Sequence, residues 1–303
     1  MSGSTHRDYL DPAVLSRLKA LPLCARQPML GNVSGRHRSP VRGSSIEFSE
    51  YRKYVPGDDK RRLDWRAYGR SDRYYVREFE ADTNLRLCLV IDVSGSMAFS
   101  GNGELPKIDY ARRLAAALAY LAVGQGDAVA LYAAGDRLRR EIPAKRNASH
   151  LRKVLDEIGN LRAEGETGLV ECLHAVAEKV RQRALVVVIS DLFIRADALT
   201  GAFQHLRFRK HDVALFQLLD PLEINFDCRR TTRFVDLEGN TTIIAEPDVV
   251  RQEYQRALAT HLEAIDDLVR DSHVDYHRVI TDQDYGQVLS DFLLRRRPKG
   301  VRG

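Results

Sequence analysis

The sequence predicts an α/β fold with a doubly wound, mostly parallel sheet, preceded by an N-terminal extension that contains short strands. Two apolar runs, LCLVI ending at Ile91 and LVVVI ending at Ile189, each stop abruptly at polar residues. Such runs are typical of central parallel strands, which are buried on both faces. From Arg86 onward, segments of this kind alternate with amphipathic segments of helical length. That alternation predicts βαβ units, with helices on both faces of the sheet.

Residues 1–84 form the predicted extension, which is basic and rich in aromatic side chains. We expect a short amphipathic helix from Leu10 to Leu21, because the apolar spacing is helical and Pro12 lies near its start. Residues 22–45 are rich in Gly, Pro, Ser and Arg, which predicts a loop. Farther on, YYVREFE (74–80) alternates in the manner of a β-strand.

Between residues 86 and 219 the apolar periodicity predicts four strands and four helices. These are strand 86–92, helix 107–123, strand 127–134, helix 148–160, helix 168–182, strand 184–190, helix 196–208 and strand 211–219. We therefore assign residues 85–294 to one α/β domain.

The pattern changes after Pro221. An inserted hairpin is expected near 231–245, because Glu238-Gly239-Asn240 separates two short runs that favour strands. A long helix at 247–271, a strand in VDYHRVIT and a closing amphipathic helix in DYGQVLSDFLLRR follow. Residues 295–303 form a predicted basic tail.

Composition restricts the classes of protein to consider. The 303 residues are 44% hydrophobic, enough for a sizeable core, and no run of about 18 apolar residues predicts a membrane span. No apolar signal segment follows Met1, so we expect a cytoplasmic protein. The four cysteines form no C-x-x-C pair, which disfavours zinc binding and disulfides.

The positive charge is unevenly distributed along the chain. The net charge is +5, but the segment between Arg36 and Arg77 contains twelve Lys or Arg and only six acidic residues. Nucleic acid, a membrane surface or an acidic protein could therefore bind there.

Polar side chains follow the first predicted strand of the α/β domain. Asp92, Ser94 and Ser96 form a D-x-S-x-S motif, which can turn three short oxygen-bearing side chains toward one point. A hard cation such as Mg²⁺ or Mn²⁺ wants about six oxygen ligands, so other loops at this edge must contribute. Thr167 precedes a predicted helix, and Asp191 follows the buried strand LVVVIS. We therefore predict a divalent-cation site formed by Asp92, Ser94, Ser96, Thr167 and Asp191.

The order and spacing of these five residues resemble the metal-ion-dependent adhesion site of von Willebrand factor type A domains. The longer segment from Gly43 to Met97, with its Tyr, Pro-Gly-Asp and Trp residues, resembles the domain-of-unknown-function family 58. The resemblance covers roughly residues 40–220. It implies hydroxyl ligands from Ser94, Ser96 and Thr167, with Asp92 and Asp191 coordinating directly or through water.

The same resemblance implies how such a site is used. In these domains a protein partner supplies an acidic ligand that completes the coordination of the ion, so the expected function is non-catalytic, metal-dependent protein binding. Members of the family are linked with AAA+ ATPases of the MoxR group, which makes such an ATPase chaperone the expected partner. Members often carry membrane helices before the Tyr-Pro-Gly-Asp segment, and this sequence has none there.

Other interpretations of the same residues stay open. Asp and Ser are common in turns, and both Thr167 and Asp191 could cap the helices that follow them. A phosphate-ester hydrolase could use Asp92 as its nucleophile, but the second acid expected two residues later is replaced by Ser94. Neither a phosphate-binding P-loop nor a G-x-S-x-G motif occurs.

Single-stranded nucleic acid is the third alternative. Aromatic residues of the extension are interleaved with Arg and could stack on bases. They are Tyr51, Tyr54, Trp65, Tyr68, Tyr74 and Tyr75. A small sheet with solvated charges explains the same pattern, and the composition does not favour a nucleic-acid partner.

Overall fold

A computed structural model describes residues 9–26, 48–53, 75–79, 85–101, 105–228, 230–239 and 241–297 of the chain. The chain divides into two compact units, one comprising residues 27–84 and the other the remainder. Helix α1 (Pro12–Leu18) is shorter than expected and belongs to the larger unit, whereas the sequence analysis places it in the 1–84 extension. Its apolar residues Val14, Leu15 and Leu18 are buried.

In the smaller unit, β1 (Phe48–Lys53) and β2 (Tyr75–Phe79) pair antiparallel, with Tyr51 opposite Arg77. The strand expected at YYVREFE is therefore present. Four of the aromatic residues considered for nucleic-acid stacking, Tyr54, Trp65, Tyr68 and Tyr74, lie outside the described residues.

The larger unit contains a six-stranded sheet that confirms the predicted fold class. Its strands are β3 (Arg86–Asp92), β4 (Ala128–Ala134), β5 (Leu138–Lys145), β6 (Leu185–Ser190), β7 (Asp212–Leu219) and β10 (Asp275–Ile280). The spatial order is β10-β7-β6-β3-β4-β5, and every pairing is parallel except that of β4 with β5. Strands β3 and β6 lie side by side at the centre, so their carboxyl ends open at one edge of the sheet.

Strand β5 was not predicted. Its sequence LRREIPAK is mostly polar, and only Ile142 is buried. An edge strand needs neither apolar alternation nor a full set of backbone donors, so Arg139, Arg140 and Pro143 are tolerated there.

The remaining helices of the larger unit cover both faces of the sheet. They are α2 (Lys107–Gly124), α3 (Ala148–Asn160), α4 (Leu169–Lys179), α5 (Ala196–Phe208), α6 (Pro221–Asn225), α7 (Pro247–Asp271) and α8 (Tyr285–Arg295). Helix α2 packs against β3, β4, α3 and α8, while α4, α5 and α7 pack on the other face. The buried residues Cys88 and Val90 of β3 contact that second layer. Both faces of β3 are thus covered, which explains its continuous apolar run.

The segment after β7 forms a small antiparallel hairpin from β8 (Thr232–Val235) and β9 (Thr242–Ala245). It lies at the position expected for the insertion. Phe226 holds it to the domain, since its ring stacks on Phe234 of β8 and on Tyr254 of α7.

The chain near its C-terminus is held more firmly than a basic tail would be. Arg296, assigned to the 295–303 tail, is buried, and its guanidinium contacts Asp212 and Asp275 and donates to the Cys24 carbonyl. Within the described ranges, none of the helices has the length and apolar character needed to cross a membrane.

Candidate functional site

The loop that leaves β3 brings the D-x-S-x-S side chains together. Asp92 is only 2% exposed, and its Oδ1 accepts a hydrogen bond from the Ser94 amide at 2.9 Å. The Ser94 and Ser96 hydroxyl oxygens lie 3.1 Å apart. Three of the five predicted ligands therefore converge after β3.

Ser190, at the end of β6, links Asp92 to the loop that carries Asp191. Its hydroxyl donates to Asp92 Oδ2 at 2.6 Å and accepts from the Leu192 amide at 2.9 Å. Leu192 is buried and has φ of 57°, an unusual left-handed conformation for a bulky residue. Such strain persists where the surroundings impose it, and Ser190 is one of the groups that impose it here. The sequence analysis did not identify Ser190, which ends an apolar strand like any small polar residue.

The loop that carries Thr167 is docked beside the β3 loop by backbone hydrogen bonds. The Gly95 amide donates to the Gly165 carbonyl at 2.7 Å, and the Glu164 amide donates to the Val93 carbonyl at 3.0 Å. Thr167 Oγ1 is buried and has no hydrogen-bond partner among the described residues. A buried hydroxyl without a partner is costly, so a bound ligand or an ordered water is expected at this oxygen.

A fully buried lysine lies at the same sheet edge and was also missed. Lys107 Nζ lies 2.7 Å from Asp191 Oδ2 and 2.6 Å from Glu223 Oε1. The rings of Phe99 and Phe193 flank the ammonium group. Lys107 begins α2, where a positive charge is unfavourable to the helix dipole. The sequence shows only a lysine at the start of a predicted helix. Nothing in the neighbouring residues indicates that two carboxylates from distant segments will pair with it.

Burial and charge shift the protonation of these groups. Burial and then the charge of Asp191 raise the pKa of Asp92 to about 6. Burial opposes the charged form of Lys107, but Asp191 and Glu223 outweigh it and raise the pKa above its usual value. Burial also raises the pKa of Glu223, although Lys107 acts against that shift. At neutral pH the ammonium group is therefore charged.

The donor set fits a hard divalent cation. Lys107 is paired with both Asp191 and Glu223, and the buried Asp92 is near enough to Asp191 for that charge to raise its pKa. Hydroxyl oxygens from Ser94, Ser96 and Thr167 line the same edge. In the described part of the chain, no cluster of three or more His, Cys, Asp or Glu could hold a metal ion. A cation here would therefore depend on hydroxyl ligands as well as carboxylates.

The tip of the β8–β9 hairpin covers this edge. Glu238 Oε2 accepts a hydrogen bond from the Thr167 amide at 3.3 Å. A Cβ atom built on Gly95 would lie 1.9 Å from the Leu237 carbonyl oxygen, so only glycine permits this approach. The sequence analysis used Glu238 as a turn residue and did not assign it to the site.

An arginine-rich cleft of about 580 Å³ adjoins the site, because Val93 and Glu164 form part of its wall. Arg139 is paired there with Asp136 and Glu164. Arg137 and Arg162 are exposed and form no ion pair with another described residue. This cleft can therefore accept negative charge next to the predicted ligands.

Known proteins resemble this chain over most of its length. Uncharacterized protein Rv1480 of Mycobacterium tuberculosis and uncharacterized protein Mb1516 of Mycobacterium bovis are each 28% identical over 305 residues, which covers 98% of this chain and 94% of each relative.

Two shorter solved chains show a distant similarity to this one. The conserved hypothetical protein BatB from Bacteroides thetaiotaomicron is 14% identical with a TM-score of 0.45, over 70% of this chain and 98% of BatB. The VWA domain of SpRpn10 is 12% identical with a TM-score of 0.42, over 73% of this chain and 100% of that domain.

A family profile identifies the chain more directly. The profile described as "Protein of unknown function DUF58" matches residues 50–264, which is more than half of the sequence and includes all five predicted ligands. This chain belongs to the DUF58 family.

Proposed function

We propose that this protein is a non-catalytic, metal-dependent protein-binding domain whose partner supplies an acidic side chain. The observation that carries the proposal is the buried Thr167 hydroxyl, which has no described partner and belongs to the loop docked on Asp92-x-Ser94-x-Ser96. A hydroxyl in that position is explained by a bound cation.

Each of the five residues has a definite role in this proposal. Ser94, Ser96 and Thr167 would hold a Mg²⁺ or Mn²⁺ ion through neutral oxygens, while Asp92 and Asp191 would coordinate it directly or through water. When bound, an ion held largely by neutral ligands retains much of its positive charge and attracts an external carboxylate. Lys107 and Ser190 would position Asp191 and Asp92 without contacting the ion.

The adjoining cleft supports an acidic partner. Exposed Arg137 and Arg162 lie beside the site, so a segment that presents a carboxylate to the ion could place further acidic residues against them. We further propose that the partner is a MoxR-type AAA+ ATPase or its client, which rests on the family resemblance alone.

Calorimetric titration of Mg²⁺ and Mn²⁺ into metal-free protein tests the first proposal. We expect binding by the parent protein and a loss of about 10- to 100-fold in affinity for Ser94→Ala and Thr167→Ala. Thr260→Ala, an exposed position on α7, is the matched control and should bind like the parent. Folded variants that all bind equally, or a parent that binds neither ion at millimolar concentration, would contradict the proposal.

The partner is tested separately. Association of the metal-loaded protein with a MoxR-type ATPase from the same genome should disappear in EDTA and in Thr167→Ala. Association that persists under both conditions would show that the ion is not the contact.

The hydrolase alternative conflicts with the geometry of Asp92. Both of its oxygens accept hydrogen bonds, from Ser94 and Ser190, and the side chain is buried. A nucleophile needs an accessible oxygen. The hydrolase interpretation would nevertheless be supported if the parent protein hydrolysed a generic phosphomonoester and the Asp92→Asn variant did not.

A further inference from the structure

We infer that Glu238 is a carboxylate ligand supplied by the chain itself, and that the hairpin tip, residues 236–239, is a cap that an acidic partner must displace. This inference rests on the proposed metal-dependent function. It assigns an additional residue to the site and a means of regulating access to it.

The tip has a defined shape of its own. The Asp236 amide donates to the Thr241 carbonyl at 2.9 Å, and Asp236 Oδ1 accepts from the Glu238 amide at 2.9 Å. These bonds close the turn between β8 and β9. The hairpin therefore fixes the backbone of Glu238, and the bond to the Thr167 amide orients its side chain.

The tip contacts both loops that carry predicted ligands. Its Leu237 carbonyl lies where a side chain on Gly95 would be, between Ser94 and Ser96, and Glu238 accepts from the Thr167 amide. Asp236, Leu237 and Gly239 are exposed, whereas Glu238 is half-buried. Of the two carboxylates in the tip, Asp236 is exposed and holds the turn, whereas Glu238 is the less exposed one and contacts the Thr167 loop.

Electrostatics explains why this carboxylate points to a cation. Lys107 is already paired with Asp191 and Glu223, and a cation bound beside the Thr167 loop would supply a positive charge next to the Glu238 carboxylate. Oxygen ligands from four segments would then surround the ion: the β3 loop, the Thr167 loop, the Asp191 loop and the hairpin tip. Glu238 would occupy a coordination position that an external acidic group would otherwise take.

The hairpin can also move away from the domain at low free-energy cost. Ile243 and Ile244 of β9 are 58% and 70% exposed, so that strand gains little from burial against the domain. Apart from the tip, the hairpin is anchored by the stack of Phe234 on Phe226. Segments with few buried contacts open at low free-energy cost. A partner could therefore lift the tip without unfolding the domain.

Water proton relaxation of the Mn²⁺-loaded protein tests the ligand. Glu238→Ala should gain one inner-sphere water, seen as a higher relaxivity per bound ion, and should bind Mn²⁺ about tenfold more weakly. Glu246→Ala is the matched control, since Glu246 directly follows the hairpin, is exposed and makes no side-chain hydrogen bond at the start of the helix it precedes. Equal relaxivity and affinity in the parent and both variants would overturn the assignment while leaving the metal site intact.

Amide hydrogen exchange of the metal-free protein tests the cap independently of any ion. Exchange at Thr167 and across residues 93–98 should be faster in Glu238→Ala than in the parent or in Glu246→Ala, because the Thr167 amide loses its acceptor. Unchanged exchange would overturn the cap. If Mn²⁺ binds to no variant, the proposed function and the ligand role of Glu238 both fail, and the exchange data still decide whether the tip covers these loops.

Discussion

Lys107 Nζ lies 2.7 Å from Asp191 Oδ2, so an ammonium group at the start of α2 is paired with a carboxylate at the end of β6, and both side chains are buried. Glu223 is the second partner of Lys107. Its two carboxylate partners lie in separate segments, one after β6 and the other after β7. Lys107 therefore links parts of the sheet edge that are far apart in sequence.

Replacing Lys107 with Met should destabilise the domain by about 3–5 kcal/mol, since Asp191 and Glu223 would be left as buried charges without a partner. Urea unfolding at pH 7 measures the change. The matched control is Lys179→Met, which breaks a partly exposed pair with Glu141 and should cost no more than about 1 kcal/mol. Equal effects of the two substitutions would show that the buried pair has no special role.

Removing the Ser190 hydroxyl should affect both stability and cation binding. Ser190→Ala leaves Asp92 Oδ2 without its donor and the Leu192 amide without its acceptor, at a cost of about 1–3 kcal/mol. Because Asp92 would no longer be oriented, we expect Mn²⁺ affinity to fall by about 10- to 100-fold. Calorimetry and urea unfolding give the two quantities.

Ser149→Ala is the control for Ser190, because Ser149 is exposed and its hydroxyl bonds to the neighbouring Asn147. It should change the free energy of unfolding by less than about 0.5 kcal/mol. A Ser190→Ala protein that binds Mn²⁺ as the parent does would remove Ser190 from the site.

A methyl group at Gly95 should push the hairpin tip away. The ideal Cβ position lies 1.9 Å from the Leu237 carbonyl oxygen and 2.7 Å from its carbon, so the Gly95→Ala protein must shift this segment, at a cost of about 1–3 kcal/mol. Faster amide exchange at residues 236–239 would report the displacement. Gly124→Ala, where no atom lies within 4 Å of the new Cβ, should leave exchange at the tip unchanged.

Acid should weaken the fold through Asp275. Burial would raise the pKa of Asp275, but the close contact of His277 and the charge of Arg296 outweigh it and lower the pKa to about 2. A carboxyl group whose pKa is lower in the folded state than in the unfolded state stabilises the fold at any pH above its unfolded-state pKa. That contribution is lost as the pH falls toward 2. Between pH 5 and pH 2 the parent should therefore lose more stability than Asp275→Asn.

Urea unfolding at several pH values in this window measures that difference. Asp248→Asn is the control, because Asp248 is exposed and its ion pair with Arg251 is on the surface. It should follow the parent across the window. An Asp275→Asn protein with the same pH dependence as the parent would contradict the assignment.

The sequence by itself determined the local elements and their alternation. Buried parallel strands require continuous apolar runs and covering helices require an apolar stripe, so strand 86–92 and helices 148–160, 196–208 and 247–271 were predicted with the bounds that the structure has. It also determined which short oxygen-bearing side chains follow the two central strands. Strand β5 was missed because an edge strand carries no such apolar signal.

Only the tertiary structure decided which distant groups meet. Lys107 lies 84 residues from Asp191, Ser190 lies 98 from Asp92, and Glu238 lies 71 from Thr167. The sequence pattern around a residue predicts the helix or strand on which it lies. Its contacts with distant residues depend on the order of the strands in the sheet and on how the hairpin packs. The charge balance of the sheet edge, and the carboxylate that covers it, therefore follow from the packing of the chain.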